Sequence, residues 1–287
     1  MRTCVVIAST NRAATLHRTL SELANQTREP IGVIVSCVKD ADVAAAALPF
    51  PITIIRGQPG LTQQRNAALD VLPPDTDIVA FLDDDFIAHA TWIDEVERCF
   101  EKNPDVVAIT GNVVADGIKG PGLSVTEAIE ILRAADPRRS AWIQKPYSPY
   151  GCNMAFRLAA VGNARFDERL PLYGWQEDRD FGAQMAQRGD LVKLGSALGV
   201  HLGVKGGRVS GRRLGYSQVA NPAYLYRKGT MTLDAAFTHV SKNLAANFAR
   251  ALWPEPDIDR AGRLRGNLEA IWDGINGRDD PERVKSL

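Results

Sequence analysis

The feature that most restricts this chain is an apolar run ending in three carboxylates: Ile78-Val79-Ala80-Phe81-Leu82 passes without a spacer into Asp83-Asp84-Asp85. A short uninterrupted apolar run reads as a strand covered on both faces, the pattern of parallel sheets. Side chains alternate along a strand, so Asp83 and Asp85 are expected on one side and Asp84 on the other. Adjacent like charges oppose each other's ionisation. Open α/β sheets bind ligands at the carboxyl ends of their strands, and a hard divalent cation would stabilise acids gathered there. Alone, the triplet also fits a solvated Asp-rich turn capping the next helix.

The flanking sequence supports the sheet. Strands are expected at Cys4–Ala8, Gly32–Val38, Ile52–Ile55 and Val106–Thr110, alternating with amphipathic helices. Leu16, Leu20 and Leu23 share a helix face, as do Trp92, Val96 and Phe100. A further helix runs from Gly60 to Leu72 and is stopped by Pro73-Pro74. Ser124 and Glu127 have the spacing of a capping box. Glu177–Gln187 reads as a helix ended by Gly189, and Leu191–His201 as strand segments broken by glycines. Gly203–Gly215 reads as a basic, Gly-rich loop, and the chain from about Thr232 as helices. This βαβ alternation implies a doubly wound, mostly parallel, Rossmann-like α/β sheet over 1–230, with a helical C-terminal extension over 231–287.

Composition excludes several classes. The 287 residues carry 34 Lys+Arg against 34 Asp+Glu, so no global field recruits nucleic acid. No apolar run approaches the roughly 18 residues of a membrane span, and the opening residues, which enter a strand at once, are not expected to be a secretory signal. The scattered Cys4, Cys37, Cys99 and Cys152 fit free thiols in a cytoplasmic protein.

Five motifs, in order, carry a resemblance. They are Val5-Val6-Ile7-Ala8-Ser9-Thr10-Asn11-Arg12, the end of the second strand, Gly60-Leu61-Thr62-Gln63-Gln64-Arg65-Asn66-Ala67, the Asp triplet, and Gly174-Trp175-Gln176-Glu177-Asp178-Arg179-Asp180. Together they resemble family 2 glycosyltransferases of the GT-A fold over roughly residues 3–215. That family moves a sugar from a nucleotide-sugar donor to an acceptor hydroxyl, usually with a divalent cation. Carried over, Ser9, Thr10, Asn11 and Arg12 meet the nucleobase, with Thr10 or Asn11 equally able to cap the following helix. Ala8 stands where the family often has proline. Ser36-Cys37-Val38-Lys39-Asp40 replaces its usual acidic strand end, leaving Asp40 as a shifted substitute.

Arg65, one turn into a helix, would face the diphosphate, or else be solvated. Asp83 and Asp84 would meet the donor, and Asp85, with Asp83, would bind Mn²⁺ or Mg²⁺. His201 is a third ligand or a structural histidine. Asp178 would be the base that takes the acceptor's proton, with Glu177 competing, or both simply start a helix. Asn153, in Tyr150-Gly151-Cys152-Asn153-Met154-Ala155-Phe156-Arg157, would lie beneath the sugar. Arg208 and Arg212, with Lys205 and Arg213, would sit in a loop closing over the diphosphate, unless that loop is merely solvated.

The resemblance implies a metal-dependent, inverting glycosyltransferase, with UDP-sugars favoured as donors and a glycan or lipid-linked acceptor. Apolar positions Leu233, Phe237, Val240, Leu244, Phe248 and Leu252 read as a helix packed on the domain rather than a membrane anchor, while arginines near 260–265 leave contact with the inner face of a membrane, or a homodimer, open. The competing readings are a nucleotide-binding, non-catalytic protein of the same fold, a sugar-phosphate nucleotidyltransferase, a metal-dependent phosphohydrolase and a bare interaction module.

Overall fold

The computed structural model describes every residue except 44–47, 207–209, 254 and 257, and the side chain of Lys119. Its first elements are β1 (Thr3–Ala8), α1 (Ala13–Leu23), β2 (Gly32–Cys37), β3 (Ile52–Arg56), α2 (Leu61–Leu69) and β4 (Ile78–Asp83). The chain continues through β5 (Phe86–Ala88), α3 (Trp92–Lys102), β6 (Val106–Asp116) and α4 (Val125–Ala134). Then come β7 (Ile143–Gln144), β8 (Asn153–Arg157), the short α5 (Leu158–Val161), α6 (Glu177–Met185) and β9 (Asp190–His201). Three long helices close it: α7 (Gly211–Lys228), α8 (Leu233–Leu252) and α9 (Arg260–Ile275).

The strands form one sheet in the order β3-β2-β1-β4-β8-β6-β9-β5, with β7 beside β9. Strands β1–β4, β6 and β9 run one way, and β5, β7 and β8 run against them. The sheet is therefore the mostly parallel, doubly wound α/β architecture expected. Antiparallel β8 enters between β4 and β6, a strand the apolar pattern did not reveal. Tertiary contacts divide the chain into two units. The first is Met1–Pro59, Gln63–Arg165 and Gln184–Gly207, and holds the whole sheet; the second is Gly60–Thr62, Phe166–Ala183 and Arg208–Leu287.

In the first unit, alternate residues of β1 (Val5, Ile7), β2 (Val33, Val35) and β4 (Ile78, Ala80, Leu82) point to one face. There they pack against Leu16, Leu20 and Leu23 of α1 and Trp92, Val96 and Phe100 of α3, the two faces expected from the helical spacing. Ser124 and Glu127 form the anticipated capping box at the start of α4. All four cysteines are free and buried.

Two readings based on glycine change. Strand β9 is continuous despite Gly195 and Gly199, because aromatic rings occupy the space their side chains would fill. A Cβ at Gly199 would lie 2.0 Å from Phe86 Cζ, and one at Gly195 would lie 2.5 Å from the Trp142 ring. Likewise, the basic loop expected to reach Gly215 gives way to α7 at Gly211, where Ser210 Oγ accepts from Arg213 N–H and caps the helix. Within the second unit, Gly215 and Gly266 mark the close approach of α7 and α9. A Cβ at Gly215 would lie 2.0 Å from Arg263 O, and one at Gly266 2.0 Å from Arg212 O.

A buried amide chain links the three long helices: Asn247 Nδ2 donates to Gln218 Oε1 (2.9 Å) and Asn267 Oδ1 (2.8 Å), and Asn267 Nδ2 to Gly215 O (2.7 Å). Phe237, Phe248, Leu252, Trp253, Trp272 and Ile275 of this unit are exposed. No helix among the described residues is long and apolar enough to cross a membrane.

The packing of Phe86 gives a direct test. Phe86 is itself buried and cannot swing away, so Gly199→Ala is expected to cost about 1–3 kcal/mol. Urea unfolding monitored by tryptophan fluorescence would register the loss; an unchanged midpoint would contradict the packing.

Candidate active site

Asp83 ends β4 in register with Ala8 of β1, and Asp84 and Asp85 follow in the turn to β5. His201 ends β9, opposite Phe86 of β5. The backbone itself fastens this corner: Asp83 N–H donates to Cys152 O (3.1 Å) and Leu202 N–H to Asp85 O (2.9 Å). Strand ends thus bring Asp83, Asp85 and His201 together, with one ligand atom of each lying within 4.8 Å of the others.

Each acid of the triplet meets different partners. Asp84 is buried: its Oδ2 accepts from Ser9 Oγ (2.7 Å) and its Oδ1 from Arg12 Nη1 (2.9 Å), an atom that also lies 3.6 Å from Asp85 Oδ2. Arg12 also donates to the carbonyls of Val204 (3.1 Å) and Gly206 (2.7 Å). Asp85 lies with Oδ1 3.3 Å from His201 Nε2, while its Oδ2 accepts from Val204 N–H (2.9 Å). Burial works against its ionisation, but the His201 hydrogen bond and charge, Arg12 and the Val204 amide outweigh it and hold its pKa below the usual value. Asp83 keeps about a third of its side chain exposed and has Arg65 Nη2 at 3.4 Å. Desolvation by the surrounding protein, with the charges of Asp85 and Asp84, pushes its pKa up to about 6 against the pull of Arg65 and His201.

His201 is buried between carboxylates, its Nδ1 3.0 Å from Asp116 Oδ1. Burial disfavours its charge, yet the hydrogen bonds to Asp116 and Asp85 raise its pKa to about 10. Asp116 ends β6, five residues beyond Gly111. Sequence reasoning stopped that strand at Thr110 and missed Asp116. The strand continues through register shifts at Gly111/Asn112 and Val113/Ala115. The available signal was Asp116-Gly117, a turn pair closing an alternating stretch.

The loop after β1 is shaped by a second residue that sequence reasoning missed. Asp42 is buried and accepts from the backbone N–H groups of Asn11 (2.8 Å), Val38 (3.1 Å) and Lys39 (2.9 Å). Asn11 thereby holds a left-handed conformation, φ 57°. Asp40, the shifted substitute considered from sequence, is exposed and pairs with Arg56. Gln64, on α2, ties the ends of β1 and β2 together through Ser9 O (3.2 Å) and Ser36 O (2.7 Å). The Thr10 and Ser36 hydroxyls are buried with no protein partner among the described residues.

Other expected residues are distributed as follows. Arg65 is buried, lies 5.5 Å from the Phe81 ring centroid and donates to Gly151 O (2.9 Å). Asn153 lies wholly inside the first unit, its Oδ1 against Gly111, where a Cβ would approach to 2.3 Å. Lys205 Nζ donates to the carbonyls of Gly117 (3.1 Å) and Ile118 (2.9 Å). Arg208 lies outside the described residues. Arg212, in the second unit, is on α7 and pairs with Glu269 at 2.8 Å.

In that unit, Glu177 and Asp178 form the first turn of α6, following Gly174 (φ 62°) and Gln176 (φ 75°). Glu177 is buried and Asp178 half-buried. Asp180 is fully buried and accepts from Lys228 Nζ (2.8 Å) and Thr230 Oγ1 (2.7 Å).

Comparison with known proteins gives the family of a chain whose doubly wound sheet carries this strand-end carboxylate pair and histidine. Residues 4–161 match the family model for glycosyl transferase family 2, and the chain belongs to that family. It is by that membership a glycosyltransferase, and solved glycosyltransferases share its GT-A fold.

A mannosyltransferase from Pyrobaculum calidifontis, solved with GDP-Man and Mn²⁺, superposes with a TM-score of 0.57 at 15% identity, over 95% of this chain and 87% of that one. TarS 1–349 from S. aureus, in complex with UDP, gives 0.53 at 14% identity, over 100% of this chain and 83% of that one. A glucosyl-dolichyl phosphate glucuronosyltransferase of Haloferax volcanii is 33% identical over 82 residues, 28% of this chain and 26% of that enzyme.

The raised pKa of His201 makes the stability of the metal-free chain depend on pH. His201 has its folded pKa raised from 6.5 to about 10. Its contribution is therefore fully present below about 6.5 and is lost as pH rises through about 10. The stability advantage of wild type over His201→Gln should shrink across that interval, as read by thermal unfolding in chelator. A constant difference would contradict the shift.

Proposed function

We propose that this chain is a metal-dependent, inverting glycosyltransferase that moves a sugar from a nucleotide-sugar donor, a UDP-sugar foremost, to a hydroxyl of a glycan or lipid-linked acceptor. The observation that carries the reading is the Asp83–Asp85–His201 group at the carboxyl ends of β4 and β9, in a family 2 chain.

The donor set fits a divalent cation: two carboxylates and an imidazole converge, and burial with the charges of Asp85 and Asp84 raises the pKa of Asp83 despite Arg65 beside it. Carboxylate oxygens suit either Mn²⁺ or Mg²⁺, and the added nitrogen favours Mn²⁺. Bound there, the cation would supply Lewis-acid stabilisation of the charge that develops on the departing nucleoside diphosphate.

The protein's own groups take the remaining tasks. The Thr10 hydroxyl, which has no protein partner among the described residues and stands in the loop after β1, is suited to hydrogen-bonding the nucleobase. Ser9, Arg12 and Asp84 hold the loop in which Thr10 and Asn11 stand. Inversion needs one carboxylate to receive the acceptor's proton as the new bond to the anomeric carbon forms. Asp178 is the strongest candidate, since Asp180 is committed to Lys228 and Thr230 and Glu177 is buried. The α6 N-terminus would keep Asp178 ionised before the transfer.

Two substitutions separate these roles. Asp85→Ala is expected to abolish Mn²⁺-dependent stabilisation by nucleoside diphosphate in thermal-shift assays; undiminished stabilisation would overturn the ligand assignment. Asp178→Asn is expected to bind donor with wild-type affinity while transfer falls by about 10²–10⁴-fold. Nucleoside diphosphate release in the presence of acceptor would measure this, and a retained rate would move the base to Glu177. A wild-type chain that binds donor without any turnover would instead support the non-catalytic reading.

A further inference from the structure

His201 is braced on the side opposite the acids of β4. Its Nε2 lies 3.3 Å from Asp85 Oδ1, while its Nδ1 lies 3.0 Å from Asp116 Oδ1. Asp116 is in turn fixed from two directions: Oδ2 accepts from Tyr150 Oη (2.9 Å), and Oδ1 accepts from Ile118 N–H (3.0 Å). The Tyr150 ring also meets the imidazole edge to face, with centroids 6.2 Å apart at 86°. One tyrosine thus restrains both the carboxylate and the ring it orients.

The backbone is built to allow this contact. Asp116 reaches His201 because the segments just beyond them approach at a pair of glycines. A Cβ at Gly117 would lie 2.1 Å from Leu202 O, and one at Gly203 would lie 2.3 Å from Gly117 C. Leu123 N–H donates to Leu202 O (2.8 Å) and fastens the crossing.

We propose that Asp116, held by Tyr150, is the positioning residue that makes His201 a nitrogen ligand, and that this brace sets a preference for Mn²⁺ over Mg²⁺. The proposal rests on the metal-site reading given above. A carboxylate accepting Nδ1–H fixes the tautomer, so that Nε2 presents its lone pair, and it raises the basicity of that nitrogen. Mg²⁺ prefers oxygen ligands and gains little from imidazole, whereas Mn²⁺ accepts nitrogen more readily. Without the brace the ring can turn or change tautomer, and the two cations then see only the carboxylates they share.

The test is calorimetric titration of the donor-free full chain with MnCl₂ and with MgCl₂, alongside thermal unfolding in chelator. Asp116→Asn is expected to weaken Mn²⁺ binding by on the order of 10–100-fold while leaving Mg²⁺ binding nearly unchanged. Tyr150→Phe should shift Mn²⁺ in the same direction by less, with metal-free unfolding unaltered. It decides the matter should Asp116→Asn fail to fold.

The double variant His201→Gln/Asp116→Asn should bind Mn²⁺ no more weakly than His201→Gln alone, since both changes remove one interaction. Additive losses, or equal losses for both cations, would overturn the proposal. If both brace variants bind Mn²⁺ as wild type does while His201→Gln is weakened, the brace is overturned and the metal site stands. A wild-type chain that takes up no Mn²⁺ overturns both.

Discussion

The condition that organises the first unit is the need to hold three consecutive carboxylates at the end of a buried strand. Left unpaired at about 4 Å, two such charges repel by about 1–4 kcal/mol even in a well-screened setting. The chain separates the problem by giving each acid its own set of partners. Asp84 takes Ser9 and the nearer contact with Arg12, while Asp85 takes His201, a backbone amide and the same Arg12 Nη1 at 3.6 Å. Asp83 has Arg65 Nη2 at 3.4 Å and carries a raised pKa. Asp83 and Asp85 thus share one corner with the protonated imidazole of His201, whose place as a countercharge a divalent cation could take.

Neutralising that cluster dictates distant parts of the sheet. For His201 to end beside Asp85, β9 must pass Phe86 and Trp142 without side chains at Gly199 and Gly195. For Asp116 to reach His201, β6 must run beyond its regular pairing through two register shifts and end at a glycine that touches the backbone after β9. The glycines serve as points of contact here more than as points of flexibility. The same holds in the second unit, where Gly215 and Gly266 let α7 and α9 meet backbone to backbone.

That double use of glycine explains what the sequence did and did not disclose. Apolar periodicity was sufficient for β1 to β4, α1 and α3, whose faces are set by burial alone. The Asp triplet was legible because it directly follows an apolar strand, a local pattern, and His201 because it closes an apolar segment. Reading Gly195 and Gly199 as interruptions and Gly211 as loop failed for one reason: the partners that require glycine lie far away in sequence. Asp116 and Asp42 were missed similarly. Each acts through bonds to residues 85 and 31 positions away, and no local pattern encodes that.

Burial and hydrogen bonding also sort the acids by what they can do. A carboxylate that receives several donors inside the protein has its lone pairs committed and is a poor base, however close to a reaction it lies. Asp42, with three backbone donors, and Asp180, with Lys228 and Thr230, are of this kind. Asp180 stands two residues from Asp178 on the same helical turn, yet one is fully buried and the other meets solvent. A motif of closely spaced acids therefore need not act as one unit. Asp180 anchors α6 to the end of α7 and the loop that follows it. For Asp178, the proposed base, such an anchor in the same turn matters because proton transfer requires a carboxylate oxygen held within hydrogen-bond reach of the attacking hydroxyl.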